Sequence, residues 1–237
     1  MRFVFLADTH MKHERVVIPD GDVLIFCGDM CTSGTIGEAT RTCHFLNALP
    51  HKYKIIVPGN HDWPFTYMDP SIIIPKGMIY LCDDIIHIRQ LDQVSLDMST
   101  DISIYGMPWT PLFYNWAFMF PRNGSRLKAR VNAIPGDIDI LVTHGPPKGI
   151  KDAVPHYDKQ GVYTHTTNEG CELLRARVLR TKPKVHVFGH IHDTTGFEYI
   201  GGTLYINATI CNRKYHPEYS PVVVDYVNKV ATVVEAV

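Results

Sequence analysis

Five short apolar runs in this chain end in the same abrupt way, and that pattern constrains the fold more than any other feature. FVFLA leads into Asp8-Thr9-His10, VLIFC into Gly28-Asp29, KIIVP into Gly59-Asn60-His61-Asp62, DILVT into His144-Gly145, and VHVFG into His190-Ile191-His192. Runs rich in Val, Ile and Phe and bounded by Gly, Pro and Asp have the composition of buried strands. In open α/β sheets the ligand-binding groups gather beyond the carboxyl ends of the strands, so segments scattered between residues 8 and 192 can converge on one pocket.

The same kind of run recurs to the end of the chain. Strands are expected near RFVFLA, DVLIFC, YKIIVP, MIYLC, DIIHIR, VSLDM, ISIYG, IDILVT, KVHVFG, FEYIG, TLYINA, VVVDY and KVATVVEA. Helical spacing of apolar residues is found over 37–48, 124–133 and 169–180. Arg175, Arg177 and Arg180 of the last segment read as a solvated face. Segments 60–77, 107–124 and 145–168 read as long Pro-rich loops, of the kind that carry function. With 237 residues and no repeat, low-complexity tract or linker-like shift, the expectation is one domain over 1–237.

A net charge of −1 gives no bias toward polyanions, so neither nucleic-acid coating nor membrane attachment is favoured. The apolar start is too short for a secretory leader, and no stretch reaches membrane-spanning length. The six cysteines form no CxxC pair, which in a chain of this size implies reduced thiols and a cytoplasmic location. The sequons at Asn123 and Asn207 then carry no meaning.

The residues at the five strand ends specify a chemistry. Asp, His and Asn without thiolate give mixed oxygen and nitrogen ligation, which suits Mn, Fe or Zn better than a closed cysteine zinc site. Asp8-x-His10 and His190-x-His192 are spaced so that both members project to one side of an extended chain. The candidate ligands outnumber the positions of one four-coordinate ion. Two ions sharing a carboxylate, with the usual separation of roughly 3.5–4 Å, use them all.

The ordered set DTH, GD, GNHD, TH and GHIH resembles the motifs of the calcineurin-like metallophosphoesterases, from Asp8 to His192. PDGDVLIFCGD, PWTP, WAF, THGPP, PKVHVFGHIH and YINATIC are further similar to the metallophosphoesterase-domain-containing subgroup, relatives of class III cyclic nucleotide phosphodiesterases. The resemblance implies a four-layer α/β/β/α sandwich of two mixed sheets. It also implies two divalent ions, with Mn favoured over Fe, Zn or Mg. One would be held by Asp8, His10, Asp29 and His192, the other by Asp29, Asn60, His144 and His190.

Within that frame Asn60 offers a neutral oxygen that fills a coordination position without cancelling the positive charge that attracts a phosphoryl group. His61 is expected to miss the metals and face the substrate, stabilising phosphoryl oxygens or protonating the leaving oxygen. Asp62 is expected to orient the His61 imidazole and favour its protonated form. The implied reaction is in-line attack by a hydroxide held between the ions. Phe113 and Asn115 are expected at the pocket rim, Trp109 and Trp116 to anchor their loop, and Lys148 to be near enough to His144 to contact phosphate. His186 reads as a packed core residue supporting the site and His165 as a loop residue within reach of it, whereas His13, His44, His51, His87, His156 and His216 read as surface or satisfied core residues.

Protein Ser/Thr phosphatases of this superfamily resemble GDxxDRG around the bridging Asp, where an Arg clamps a phosphomonoester; this chain has GDMCTSG. The expected activity is therefore a phosphodiesterase on small-molecule phosphoesters, cyclic nucleotides included. The alternatives are a broad phosphomonoesterase and a non-catalytic metal-binding scaffold for protein partners. Damaged motifs, as a scaffold would show, are not found, and His61 is present.

Overall fold

The first apolar run shows how the architecture follows from sequence. In β1 (Arg2–Leu6) Phe3 and Phe5 point to one face and Val4 and Leu6 to the other, and all four are fully buried. A strand apolar on both faces must be covered on both faces, which demands layers on each side.

The computed structural model describes residues 1–89 and 101–235. β1 is parallel to β2 (Val23–Phe26), which continues in parallel to β3 (Tyr53–Ile56) and β4 (Ile79–Tyr80). On its other side β1 pairs antiparallel with β15 (Val222–Val227), which pairs antiparallel with β16 (Val230–Glu235). The second sheet runs β13 (Gly196–Ile200), β14 (Thr203–Asn207), β12 (Val185–Phe188), β9 (Ile140–Thr143), β6 (Asp101–Met107) and β5 (Asp84–Arg89). Its four inner strands are parallel and its two edge strands antiparallel to their neighbours. Both sheets are mixed, and the fold is the expected α/β/β/α sandwich.

Three apolar clusters fill the three gaps between layers. Phe3, Phe5, Ile25 and Ile55 meet Ile104, Ile140, Val185 and Ile206 between the sheets. Val4, Leu6, Leu24 and Phe26 pack beneath Ala39, Cys43 and Leu46 of α1 (Ile36–Ala48), which Thr35 and Glu38 start with a reciprocal capping box. Leu141, Phe188 and Tyr205 pack against Leu127 and Val131 of α3 (Ser125–Ala133) and Leu174 and Val178 of α4 (Glu172–Thr181). No helix among the described residues is long and apolar enough to cross a membrane.

Twelve of the expected strands are present, and VSLDM lies outside the described residues. The segments read as long loops hold short elements instead. α2 (Pro64–Tyr67) lies in the first, β7 (Thr110–Pro111) and β8 (Met119–Phe120) in the second, and β10 (Ala153–Tyr157) and β11 (Tyr163–Asn168) form a hairpin in the third. YTHTTN is almost wholly exposed and carries no buried apolar face, and Pro155 interrupts β10, so neither strand has the pattern of a buried one. Two of the three arginines of α4 are half-buried and hydrogen-bonded: Arg175 donates to the Lys148 carbonyl (2.8 Å) and Arg177 Nε to that of Ile134 (3.0 Å), fixing loops that pack beside the helix.

At the amino end of β9 one carboxylate ties the two sheets. Asp139, 4% exposed, accepts from Ser103 N and Oγ (both 2.9 Å) on β6 and from the Tyr226 hydroxyl (2.8 Å) on β15. Burial pushes its carboxyl up, but the bonds from Ser103 and Tyr226 and the nearby Lys229 outweigh that and hold it below its ordinary value. A depressed carboxylate stabilises the fold above its unfolded pKa and loses that contribution as pH falls through the folded value. Asp139→Asn is expected to cost about 2 kcal/mol at pH 7 in urea melts. The gap to the wild-type protein should narrow below about pH 4, where the unfolded carboxyl takes up a proton.

Candidate metal centre

The five strand ends meet because the two sheets join where β1 ends. Ala7 N donates to Ala208 O (2.8 Å) and Ala7 O accepts from Ile210 N (3.0 Å), so the carboxyl edge of one sheet is stitched to that of the other. Asp8, His10, Asp29, Asn60, His61, His144, His190 and His192 come together at this seam. Asp8 (φ 54°), His10 (40°), Asp29 (59°) and His190 (72°) all hold left-handed backbone, which is costly for non-glycine residues and accumulates at functional sites. The glycines between are required by close approach: a Cβ on Gly59 would collide with Asp29 Oδ1, and one on Gly189 with Asp8 Oδ2.

Hydrogen bonding fixes which imidazole nitrogens face inward. Nδ1 of His10 lies 3.0 Å from Cys31 O, that of His144 3.0 Å from Cys27 O, and that of His192 3.1 Å from Asn212 O. A carbonyl only accepts, so each Nδ1 carries a proton and donates it, which turns each Nε2 toward the seam, as in metal-binding histidines. Nε2 of His10 and Nε2 of His192 face each other at 3.4 Å, and His144 Nε2 is 2.9 Å from Asn60 Oδ1 and 3.3 Å from Asp29 Oδ1. Lone pairs so opposed need a cation or a proton between them.

The carboxylates make the same demand. Asp8 Oδ2 accepts from His190 N (2.8 Å), but its buried Oδ1 has no hydrogen-bond partner and lies 3.7 Å from His192 Nε2. A buried carboxylate oxygen left without a partner is expensive unless a cation compensates it. Asp29 presents Oδ1 toward His144 and Oδ2 toward His10 (3.9 Å), one oxygen to each half of the site. Burial lowers the His144 pKa, but Asp29 and Asp8 outweigh it and raise it to about 9. His190, where burial and then His144 dominate, is lowered to about 3. The carboxylates that favour positive charge on His144 also favour a cation beside it.

Two His/Asp groups could therefore each hold an ion, Asp8 with His10 and His192, and Asp29 with His144 and His190. A third, overlapping group is His10, Asp29 and His61. The donors are oxygen and imidazole without thiolate, so the residues present fit divalent metals of the Mn, Fe or Zn kind.

Asp62 does not orient His61. Its Oδ2 accepts from Asp29 N (2.9 Å) and Gly59 N (2.8 Å), and its Oδ1 from Cys31 N (3.0 Å). The preceding residue's backbone amide, His61 N, donates instead to Asp29 Oδ1 (2.8 Å), and the His61 ring is held by its Nδ1 against Thr32 O (2.8 Å) and by stacking on Trp116 at 4.3 Å. Asp62 is fully buried and straps together the backbones that carry Asp29 and Asn60. Trp116, read as a loop anchor, thus packs on the His61 ring, whereas Trp109 does anchor its loop, stacking on Phe120 at 4.4 Å and donating its indole N–H to Asp83 (2.7 Å).

Above the seam lies a cavity of about 590 Å³ whose lining includes Phe113, Tyr114, Arg122, His156, Arg213 and Tyr215. Phe113 lines it and stands 5.4 Å from the His190 ring. Asn115 is exposed and is not part of the lining. Nor is Lys148, whose ammonium bonds the Asn168 carbonyl and lies 3.6 Å from Glu172, so its charge is engaged away from the cavity. His156, read as a surface residue, lines the cavity, and His165 stacks on it at 4.6 Å outside the lining. His186 packs as expected, 2.9 Å from the Thr143 hydroxyl beside His144. Thr32, Arg213 and Tyr215 escape sequence reading because they reach the site from loops with no metal-ligand spacing; a left-handed Tyr following Asn212 is legible only in the backbone.

Two mixed sheets with paired His/Asp groups at their common carboxyl edge define a metallophosphoesterase-type protein. The family model described as calcineurin-like phosphoesterase matches residues 1–194. The chain is 36% identical over 249 residues to human metallophosphoesterase domain-containing protein 1, a match covering 94% of this chain and 70% of that protein. A UPF0046 protein of Caenorhabditis elegans is 34% identical over 244 residues, covering 95% and 80%. Among solved structures, the phosphopantetheinyl hydrolase of Mycobacterium tuberculosis shares the fold with a TM-score of 0.56 at 15% identity, over 90% of each chain. The chain belongs to the calcineurin-like phosphoesterase family.

Proposed function

We propose that this chain is a binuclear, metal-dependent phosphodiesterase acting on small-molecule diesters, cyclic nucleotides among them, as a single domain over 1–237 in the cytosol. The carrying observation is the pair of His/Asp groups, between which Asp29 turns one oxygen to each, on the floor of a cavity large enough for an organic phosphate. One ion would be held by Asp8, His10, Asp29 and His192, the other by Asp29, Asn60, His144 and His190, with Mn favoured. When bound, such ions supply Lewis acidity toward phosphoryl oxygens and make hydroxide available near neutral pH.

The chain's own residues do the rest. The Asn60 amide oxygen, 2.9 Å from His144 Nε2, adds a ligand without adding negative charge. His61, fixed through Nδ1 and stacked on Trp116, directs Nε2 toward the centre, 3.9 Å from Asp29 Oδ2, where it can carry a proton to the leaving oxygen. Phe113, Tyr114 and Tyr215 give the cavity apolar walls for organic substituents.

Diester preference is supported by charge. The two arginines of the lining are already compensated: Arg122 pairs with Glu172 (2.9 Å) and Glu169 (3.5 Å), and Arg213 with Asp193 (3.3 Å). A dianionic monoester would find no uncompensated arginine there, whereas a diester carries one negative charge less. The free state of all six thiols supports a reducing compartment.

The test compares bis-p-nitrophenyl phosphate with p-nitrophenyl phosphate on metal-stripped protein to which Mn²⁺ is restored. The expected result is Mn²⁺-dependent turnover with kcat/KM for the diester at least about tenfold the higher, equivalent to 1.4 kcal/mol of discrimination. A monoester preference would overturn the diesterase reading. Two bound metals with no turnover of either ester would overturn hydrolysis itself.

A further inference from the structure

The turn at residues 212–216 lies past the 1–194 segment matched by the family model, yet it reaches into the metal centre. Asn212 builds it. The Asn212 Oδ1 accepts from Lys214 N (2.8 Å) and His216 N (3.1 Å), Asn212 N donates to His216 O (2.9 Å), and the Asn212 side-chain amide donates to Glu218. The Asn212 carbonyl has two tasks: it accepts from Tyr215 N (2.8 Å) and from His192 Nδ1 (3.1 Å). One carbonyl therefore fixes both a candidate metal ligand and the residue at the tip of the turn.

That residue is an aromatic held at φ 58°. Bulky side chains seldom adopt left-handed backbone, and where they do the surroundings enforce it and the strain tends to mark a functional site. Tyr215 sets its ring edge-on to His10 (centroids 4.6 Å apart), His192 (5.5 Å) and His61 (6.4 Å), covering the half of the centre built by Asp8, His10 and His192. It lines the cavity, remains 42% exposed, and its hydroxyl has no hydrogen-bond partner among the described residues. An uncommitted donor beside both the first half-site and His61 is placed where an oxygen of a bound phosphoryl group arrives.

We infer that Tyr215 is a substrate-contacting residue, its hydroxyl donating to a non-bridging phosphoryl oxygen while its ring shuts water out on the His10 side. This rests on the phosphoesterase reading of the same centre. A hydrogen bond to a charged phosphoryl oxygen carries a factor of about 10 to 100.

The test uses the whole Mn²⁺-loaded protein and two readouts, hydrolysis of bis-p-nitrophenyl phosphate and calorimetric binding of inorganic phosphate. Tyr215→Phe keeps the ring and removes the donor. It should retain wild-type Mn²⁺ stoichiometry and Tm while losing about tenfold or more in phosphate affinity and in kcat/KM. Tyr215→Gly relieves the left-handed strain and should lose more activity at a Tm no lower than wild type, the reverse of what a purely structural tyrosine would give. Unchanged phosphate affinity and kcat/KM in Tyr215→Phe, on a wild type that hydrolyses the diester, would overturn the role of Tyr215 alone. A wild type that binds two Mn²⁺ but neither phosphate nor diester would overturn the parent reading and this one with it.

Discussion

Replacing Asp62 by alanine is expected to unfold the metal centre without touching a candidate ligand. Its carboxylate is the acceptor for three backbone amides, Asp29 N, Cys31 N and Gly59 N, all within 3.0 Å and all in buried surroundings. Each amide left without an acceptor costs about 1–3 kcal/mol. The sum, after partial relaxation, is about 4 kcal/mol, or roughly 8–16 °C in Tm for a chain of this size. The carboxyl itself is held up to about 6, first by burial and then by Asp29, so at neutral pH it remains mostly ionised and acts as acceptor only. Asp62→Asn keeps the shape but sets an amide N–H₂ against at least one backbone N–H, and should cost about half as much. Both variants should also weaken Mn²⁺ binding by about 10–100-fold, because the strap fixes Asp29 directly, Asn60 through Gly59, and His10 through the Cys31 peptide. Thermal melts with and without Mn²⁺ read both effects. A Tm within about 2 °C of wild type for Asp62→Ala would contradict this role.

The largest effect on chemistry is expected from Asp29→Ala. Asp29 Oδ1 accepts from His61 N and lies beside His144, and Oδ2 faces His10 and His61, so its loss removes an oxygen from both halves of the site at once. Its carboxyl is held well below the usual carboxylate range: burial raises it, but His144, His10 and His61 outweigh burial, and that coupling to imidazoles would be lost with it. On the proposed two-ion diesterase reading, diester turnover should fall by at least about three orders of magnitude, since stabilisation of a phosphoryl transition state would depend on both ions. The fold should survive, because Asp29 lies at a loop and not in any of the three apolar clusters.

How much of this was legible in the sequence follows from the kind of signal each part carries. The strands with two buried faces, such as VLIF and ILVT, announce themselves by composition, and the polar residues directly after them announce a site. The β10–β11 hairpin is not legible because its strands carry no buried apolar face to separate them from loops, and the largely buried β7–β8 pair is not legible because two residues a side are too few to show a period. The partners of Asp62 differ from those its place in the chain suggests. Adjacency along the chain places it beside His61, but the turn at 59–62, closed by Asp62 N donating to Gly59 O (3.2 Å), folds its side chain back under the amides of residues 29, 31 and 59. Lys148 is near His144 in sequence, yet the hydrogen bond to Asn168 and the pairing with Glu172 carry its charge out of the cavity. Arg213 and Tyr215 come to the centre from a turn whose only sequence mark is an Asn.

Whether two metal ions share Asp29 is decided by titrating metal-stripped protein with Mn²⁺, followed by calorimetry and by electron paramagnetic resonance. Two ions per chain with a spin-coupled signal are expected in the wild type, and no more than one, uncoupled, in Asp29→Ala. A single ion at saturation in the wild type, or an unchanged coupled pair in Asp29→Ala, would contradict that sharing.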